Sequence, residues 1–466
     1  MIPMPQSVLK SFRAVAKRLF GRARNDSVWL SVTATPEKLV LRAAWNDSAL
    51  ECRVQSQFDP ATFAVRLEQL AACEAKSSEP VSFEASADSV AIQWLDRGIP
   101  QQAFCPRPTE ELPTFPMKPA RVWTTDAGLL RALAAANEIT NSESSRYALD
   151  CLTLRGEPGS IAATDGRHLL VQCGCEFPWT GDLLVPSSPV FRAPQLATDG
   201  PVTIGATDLH IALSNDSWTV WLPINKDGRF PKIDDIVQHE SGALSRLELA
   251  PADAEFLLPR LDSLPGSESD DRRITLALDG QVTIRAVADE QAKPVELVLT
   301  NGHYEGEPVS VGFNRGNLAR ALKLGFSRFL IFKPDTAIQC QADDRTYIFM
   351  PLEPTEVPAG QEPLRIESPV ATTRLRVHGT KTKERNVTQT TPTAVDKPAA
   401  ATKSNKRPSP VATKTPVEQA IALRDSLLLV ARQANDLART LKLQRRQEQI
   451  VASTLASLKS LQKLAG

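Results

Sequence analysis

The chain has 466 residues, 42% of them hydrophobic and 23% charged, and its 54 basic side chains balance 54 acidic ones. That is the composition of a water-soluble globular protein of two to four domains, and it excludes a largely unstructured chain. No run of about 18 uninterrupted apolar residues occurs, which argues against a membrane-spanning helix. Seven irregularly spaced cysteines fit reduced thiols in a cytoplasmic compartment better than a disulfide framework.

The charge balance hides an asymmetry. Residues 356–466 carry about ten more basic than acidic groups, which leaves residues 1–355 with about ten excess acidic ones. The body is expected to repel nucleic acid, and the tail to attract it or another acidic surface.

The opening stretch, "MIPMPQSVLKSFRAVAKRLFGRAR", spreads basic residues through and beyond its apolar positions and lacks a cleavage-type tail, which argues against a signal peptide. Pro3 and Pro5 disfavour a strand at its start. Over 7–20 the spacing predicts a helix with Val8, Phe12, Val15 and Leu19 on one face and Lys10, Arg13 and Lys17 on the other. Two further amphipathic helices are expected over 126–138 and 252–264.

A second set of helices is predicted from capping signals. Asp59-Pro60 precedes "ATFAVRLEQLAAC", Ser188-Pro189 precedes "VFRAPQLA", and Asn314 precedes "RGNLARALKLG". Pro194 shortens the middle one. In the last, Leu318 and Leu322 face away from Arg320 and Lys323, and Arg131 and Arg192 are the weaker basic counterparts in the middle segment. Between the helices lie period-2 strands such as "VWLSVTA", "LDCLTLRG", "PVTIGATDLHIAL" and "RITLALDGQVTIRAV". Phe115-Pro116, Phe230-Pro231 and Met350-Pro351 close three segments of about 115–125 residues. The reading is an α+β triplicate with boundaries at 1–118, 119–240 and 241–355.

After this body the sequence becomes rich in Pro, Thr, Ala and Lys, and 356–415 reads as a disordered basic linker. From 416 to 466 apolar residues at 3,4 spacing predict a long amphipathic helix or coiled coil that needs a partner.

Several stretches resemble the bacterial replicative sliding clamp, the β subunit of DNA polymerase III. "RYALDCLTLRGEPGSIAATDGRHLL" is similar to the strand and Ala-Thr-Asp-Gly turn of that family's middle domain, and "DGRFPKIDDIV" to its closing motif. "VGFNRGNLARAL" and "YIFMPL" resemble the helix start and terminal strand of its third domain, and "LPTFP" the end of its first. The resemblance covers about residues 1–353 and implies three similar clamp domains. It also implies a head-to-tail homodimeric ring on double-stranded DNA, in the bacterial cytoplasm and associated with the nucleoid.

In such a ring, Lys10, Arg13, Lys17, Arg131, Arg192, Arg320 and Lys323 would meet phosphates without reading sequence. Short peptides of DNA polymerase III subunits and of the clamp loader would enter a pocket beside the turn. Carried over by position, the pocket is Leu149, Thr164, Gly166, Arg167, His168 and Leu169, with Ile348, Phe349, Met350, Pro351 and Leu352. No chemical step, cofactor, metal or membrane contact is implied.

The chain departs from the family at the pocket. Arg167-His168 reverses the family order and so exchanges the faces of two neighbours on a strand. Gln238 stands where proline is expected, and Glu353 where arginine often follows. A diverged paralogue that keeps the fold but acts as a scaffold apart from the main polymerase is the alternative. A hydrolase triad of Asp165, His168 and Ser145 lacks any accompanying nucleophile motif. A metal site on Cys173, Cys175 and His168 lacks a second cysteine pair.

Overall fold

A computed structural model of the chain describes residues 1–21, 28–55, 57–73, 79–141, 147–197, 200–266, 271–287, 293–358 and 361–370. The expected C-terminal helix, most of the linker and Ser145 lie outside these.

The first segment runs β1 (Ile2–Met4), α1 (Gln6–Phe20), β2 (Trp29–Ala34), β3 (Lys38–Trp45), β4 (Ser48–Gln55), β5 (Ala61–Arg66), β6 (Val81–Ala85), β7 (Ser89–Asp96) and β8 (Ile99–Pro106). The second runs β9 (Val122–Thr125), α2 (Gly128–Asn137), β10 (Cys151–Arg155), β11 (Ser160–Thr164), β12 (His168–Gln172), β13 (Asp182–Pro186), β14 (Val202–Ala206), β15 (His210–Ser214) and β16 (Trp218–Pro223). In the third come β17 (Ser245–Glu248), α3 (Pro251–Leu261), β18 (Arg273–Leu278), β19 (Val282–Ala286), β20 (Val295–Leu299), β21 (His303–Gly306) and β22 (Val309–Asn314). It continues through α4 (Arg315–Lys323), β23 (Arg328–Ile331), β24 (Ile338–Ala342) and β25 (Arg345–Phe349), and beyond it lies β26 (Leu364–Glu367).

Each segment therefore repeats one plan: a short strand, a helix, a three-stranded meander with a fourth strand beside it, then a second meander. Two-residue turns close the tightest hairpins because their residues accept positive φ. Asn46 and Asp47 (φ 46° and 59°) join β3 to β4, and Arg97 and Gly98 (φ 52° and 82°) join β7 to β8.

Two sheets cross from one segment to the next. In the order β5-β2-β3-β4-β16-β15-β14-β9, β4 pairs antiparallel with β16. In the order β13-β10-β11-β12-β25-β24-β23-β17-β21, β12 pairs antiparallel with β25. Both junctions join the end of one segment's leading meander to the last strand of the following segment's second meander. The remaining sheets are β1-β6-β7-β8 and β22-β18-β19-β20-β26.

The helices and the inward faces of the sheets share the main core, where Phe12 of α1 stacks on Trp218 of β16 with ring centroids 6.2 Å apart. At the first junction Glu51 is buried between Arg42 Nε (2.7 Å) and Arg53 Nε (2.6 Å). Phe115 packs edge-on against Trp221 at 4.9 Å, with Arg42 over its ring. Arg315, wholly buried at the start of α4, donates to the carbonyl of Leu261 (3.1 Å) at the end of α3 and to those of Leu264 (2.6 Å) and Pro265 in the segment just after it. Of these, the Leu261 carbonyl is one that a helix terminus leaves unsatisfied.

The structure corrects four expectations. Pro3 does lie in a strand, but at the sheet margin, where its missing N–H costs no ladder bond. The stretch after Asp59-Pro60 is β5, followed by a short 3-10 turn (Leu67–Ala71), because Phe63 and Val65 pack inward and Phe63 stacks on Phe83 at 5.5 Å. After Ser188 the chain makes only a 3-10 turn (Pro189–Arg192), capped by the serine hydroxyl that accepts from Val190 N. Residues 361–370, assigned by composition to the linker, include β26, which adds parallel to β20.

Candidate functional site

The Ala-Thr-Asp-Gly turn joins β11 to β12 beside the second junction. Gly166 takes φ +88°, a conformation that other residues reach only with strain. Asp165 Oδ1 accepts from the backbone N–H of Arg167 (2.9 Å) and of His168 (2.7 Å), and Gly166 N donates to Thr164 Oγ1 (3.1 Å). The turn is thus held by its own side chains.

The pocket residues named from the sequence divide between two faces of the junction sheet. Leu169 pairs with both Thr164 and Ile348, so these three share the outer face. Leu169 and Ile348 are only 3% and 4% exposed, in a cluster with Ala162 and Ile233, with Phe230 packed against it. Phe349 and His168 point to the opposite face. Phe349 is buried against Phe313 and Tyr347.

His168 Nδ1 lies 2.7 Å from Asp165 Oδ2 and its Nε2 lies 2.8 Å from Asn317 Oδ1 on α4, with the ring stacked on Tyr347 at 6.2 Å. Burial by itself would raise the Asp165 pKa. The His168 ring, its charge and the two backbone donors outweigh that and hold the carboxyl below its ordinary 3.8.

Arg167 is exposed, and its carbonyl accepts from Met350 N (3.2 Å). Met350 is 50% exposed, Leu149 and Pro351 are half-buried, and Leu352 N donates to Gly312 O (2.7 Å) on β22. The motifs therefore bring Leu149, Thr164, Gly166, Leu169, Ile348 and Met350 to one neighbourhood, while Phe349 and His168 serve the core behind it. Ile233 and Phe230 cover the floor. Phe230 and Ile233 both lie within the "DGRFPKIDDIV" motif, but nothing local placed either beside Leu169.

The basic helical residues are in unequal settings. Lys10 and Lys17 are exposed on α1, and Arg13 is half-buried. Arg131 of α2 and Lys323 of α4 line one cleft of about 640 Å³ across the second junction, together with Arg345 and the acidic Asp126, Glu176 and Asp344. Arg192 forms an ion pair with Glu138, which takes up part of its charge. Arg320 turns toward the buried Tyr347 hydroxyl. Burial pushes that phenol up beyond its ordinary range, and the Arg320 guanidinium partly offsets the rise. Both ring nitrogens of His168 are engaged by Asp165 and Asn317, so none faces Cys173 or Cys175 as a metal ligand.

No helix among the described residues is long and apolar enough to cross a membrane. No protein-family model and no curated protein matches the chain. Solved structures do resemble it. The DNA polymerase III subunit beta from Pseudomonas aeruginosa superposes with a TM-score of 0.64 at 20% identity, over 76% of this chain and 99% of that one. The same organism's sliding clamp bound to griselimycin gives 0.64 at 19% identity, with the same coverage. The DNA polymerase III beta subunit from Thermotoga maritima gives 0.62 at 13% identity, again over 76% and 99%. The fold is that of the bacterial sliding clamps, three similar modules, in a strongly diverged sequence.

Proposed function

We propose that this protein works as a ring-forming, non-catalytic processivity factor. Two copies associate head to tail around duplex DNA, and DNA-processing proteins attach to the outer face beside Gly166. The three modules are bounded at 118/119 and 240/241. The observation that carries the reading is the repeated junction: β4 with β16 and β12 with β25 extend the sheets in the same way twice, which is how identical joints propagate around a closed circuit. Exposed Lys10, Lys17, Arg131 and Lys323 supply charge on helices, where contacts to phosphates are indifferent to base sequence. The acidic balance of the body discourages DNA from settling elsewhere. Retention then comes from topology, and the protein carries out no chemical step. The partner classes are polymerase III subunits and a clamp loader, in the bacterial cytoplasm. The test is retention: the protein stays on nicked circular DNA and is lost from linear DNA with free ends. Equal loss from both, in the unaltered protein and in one whose strand β26 is released by Leu364→Pro, rejects the reading.

A second reading rests on the covered floor at Leu169 and Ile348. With Ile233 seated over these residues, an incoming peptide has to displace it before reaching them. This favours a paralogue with its own partners, apart from the main polymerase. A fluorescent clamp-binding peptide that shows no affinity for the protein supports it. Micromolar binding that is lost in Leu169→Ala opposes it.

A further inference from the structure

The two junctions within the chain imply a third. Applied once more, the rule that pairs β4 with β16 and β12 with β25 leaves β20 as the unmatched edge of the third segment. It leaves β8 as the unmatched edge of the first. Neither edge is bare.

β20 is occupied by the chain's own extension. β26 runs parallel to it, with Val295 opposite Leu364 and Val298 opposite Glu367. Leu364 N donates to Pro294 O (2.7 Å) and Ser368 N to Val298 O (2.8 Å). The Ser368 hydroxyl is buried, donates to Asp253 Oδ1 (2.6 Å) and accepts from Thr300 N (2.9 Å). Arg365 donates to Gln281 Oε1 (2.6 Å). All four residues of β26 are exposed, Leu364 to 48% and Ile366 to 36%, so backbone pairing, Arg365 and Ser368 supply much of the hold.

β8 is blunted. Arg107 N donates to Asp88 O, which fixes the phase of the β7–β8 ladder and turns the backbone groups of Pro100, Gln102, Phe104 and Pro106 outward. Two of those four have no N–H, and the Phe104 carbonyl already accepts from Gln69 Nε2 (3.2 Å). The side chains of Ile99 and Phe104 remain 62% and 61% exposed.

We propose that β26 is a built-in cap: it fills the β20 edge that the β8 of a second copy would take, so closure through these edges requires β26 to leave. The inference rests on the ring reading, in which the third junction lies between copies. A strand tethered by a short linker acts at an effective concentration on the order of millimolar. A second copy at micromolar concentration starts at a disadvantage of about a thousandfold, and prolines in β8 keep it from overcoming that alone. A partner that draws away the extension converts the protein to its closing-competent form.

Hydrogen exchange in the full chain tests this at β8 itself, so association through any other part does not affect the result. In the unaltered protein the outward amides of Gln102 and Phe104 exchange fast at every concentration. In Leu364→Pro/Ser368→Asp, a pairing amide is lost and a second carboxylate faces Asp253. There the two amides lose their fast exchange as concentration rises. If the double variant unfolds the sheet, seen as lost protection in β18, Leu364→Pro alone is read in the same way. Fast exchange that persists after release, or protection of β8 in the unaltered chain, overturns the proposal. β8 protection without retention on circular DNA supports the cap and rejects the DNA ring.

Discussion

His168 and Asn317 lie 149 positions apart in the chain, yet the histidine Nε2 is 2.8 Å from the asparagine Oδ1. The contact ties the Gly166 turn of the second module to α4 of the third, across the β12–β25 junction. Because the other ring nitrogen holds Asp165, one side chain links the turn, the junction and the helix.

Replacing His168 by leucine leaves the Asp165 carboxylate and the nearly buried Asn317 amide without their partner. A cost of roughly 1–3 kcal/mol is expected, read as a lower urea midpoint with an unchanged slope. Adding Asn317→Leu recovers part of the loss, because the second orphaned polar group is then gone.

Acid sensitivity follows from two junction carboxyls. Glu51 is buried, which alone would raise its pKa, but its bonds to Arg42 and Arg53 bring it below its ordinary 4.5, and Asp165 is held below 3.8. The unfolded chain therefore binds these protons at higher pH than the native one does. Their contribution is complete above the ordinary values and is lost as pH falls through the depressed native ones. The urea midpoint of the unaltered protein falls below pH 4.5, and Glu51→Gln/Asp165→Asn is less stable at pH 7 with a shallower acid decline.

Arg315→Leu removes the donor to three carbonyls at and just after the end of α3 and puts an apolar chain in its place. The expected loss is about 3 kcal/mol or more, since each buried acceptor left unpaired costs on the order of 1–3 kcal/mol. Chemical denaturation measures it. A loss under about 1 kcal/mol shows that water replaces the guanidinium.

If Lys323 meets a phosphate, Lys323→Ala lowers the slope of log affinity against log salt by about one unit. Arg192→Ala changes it less, because Glu138 already takes up part of that charge. Fluorescence anisotropy on a duplex across a salt series separates the two.

The thiols are expected to react unequally. Burial raises Cys52 to about 12, and Cys151 and Cys175 to about 11, while Cys173 is exposed. Aromatic disulfide reagents at pH 8 label Cys173 first, and a Cys173→Ser variant loses the fast phase.

What the sequence makes legible follows from how each element is held. α1 and α4 are readable because a periodic apolar face and, in α4, the Asn314 cap are local signals; the Asn314 side chain accepts from Gly316 N as its position predicts. β5 is not. The Asp59-Pro60 pair is a helix-start signal in sequence, but Phe63 finds Phe83 across the core, and that distant contact decides the conformation. The Gly166 turn is legible as a motif. Which way His168 faces depends on Asn317, a partner no local window contains. β26 is the least visible. Its residues are exposed without alternation, and its pairing depends on backbone groups, Arg365 and one buried serine. The cover that Ile233 places over Leu169 is likewise a tertiary fact.

The prolines in the first four-stranded sheet have a consequence for life before assembly. Pro3 lies in β1 at one margin, and Pro100 and Pro106 lie in β8 at the other. A bare margin offers a template for indiscriminate strand addition, the route by which unassembled sheet proteins aggregate. Margins short of donors make poor templates, so a protomer can wait at high concentration without precipitating.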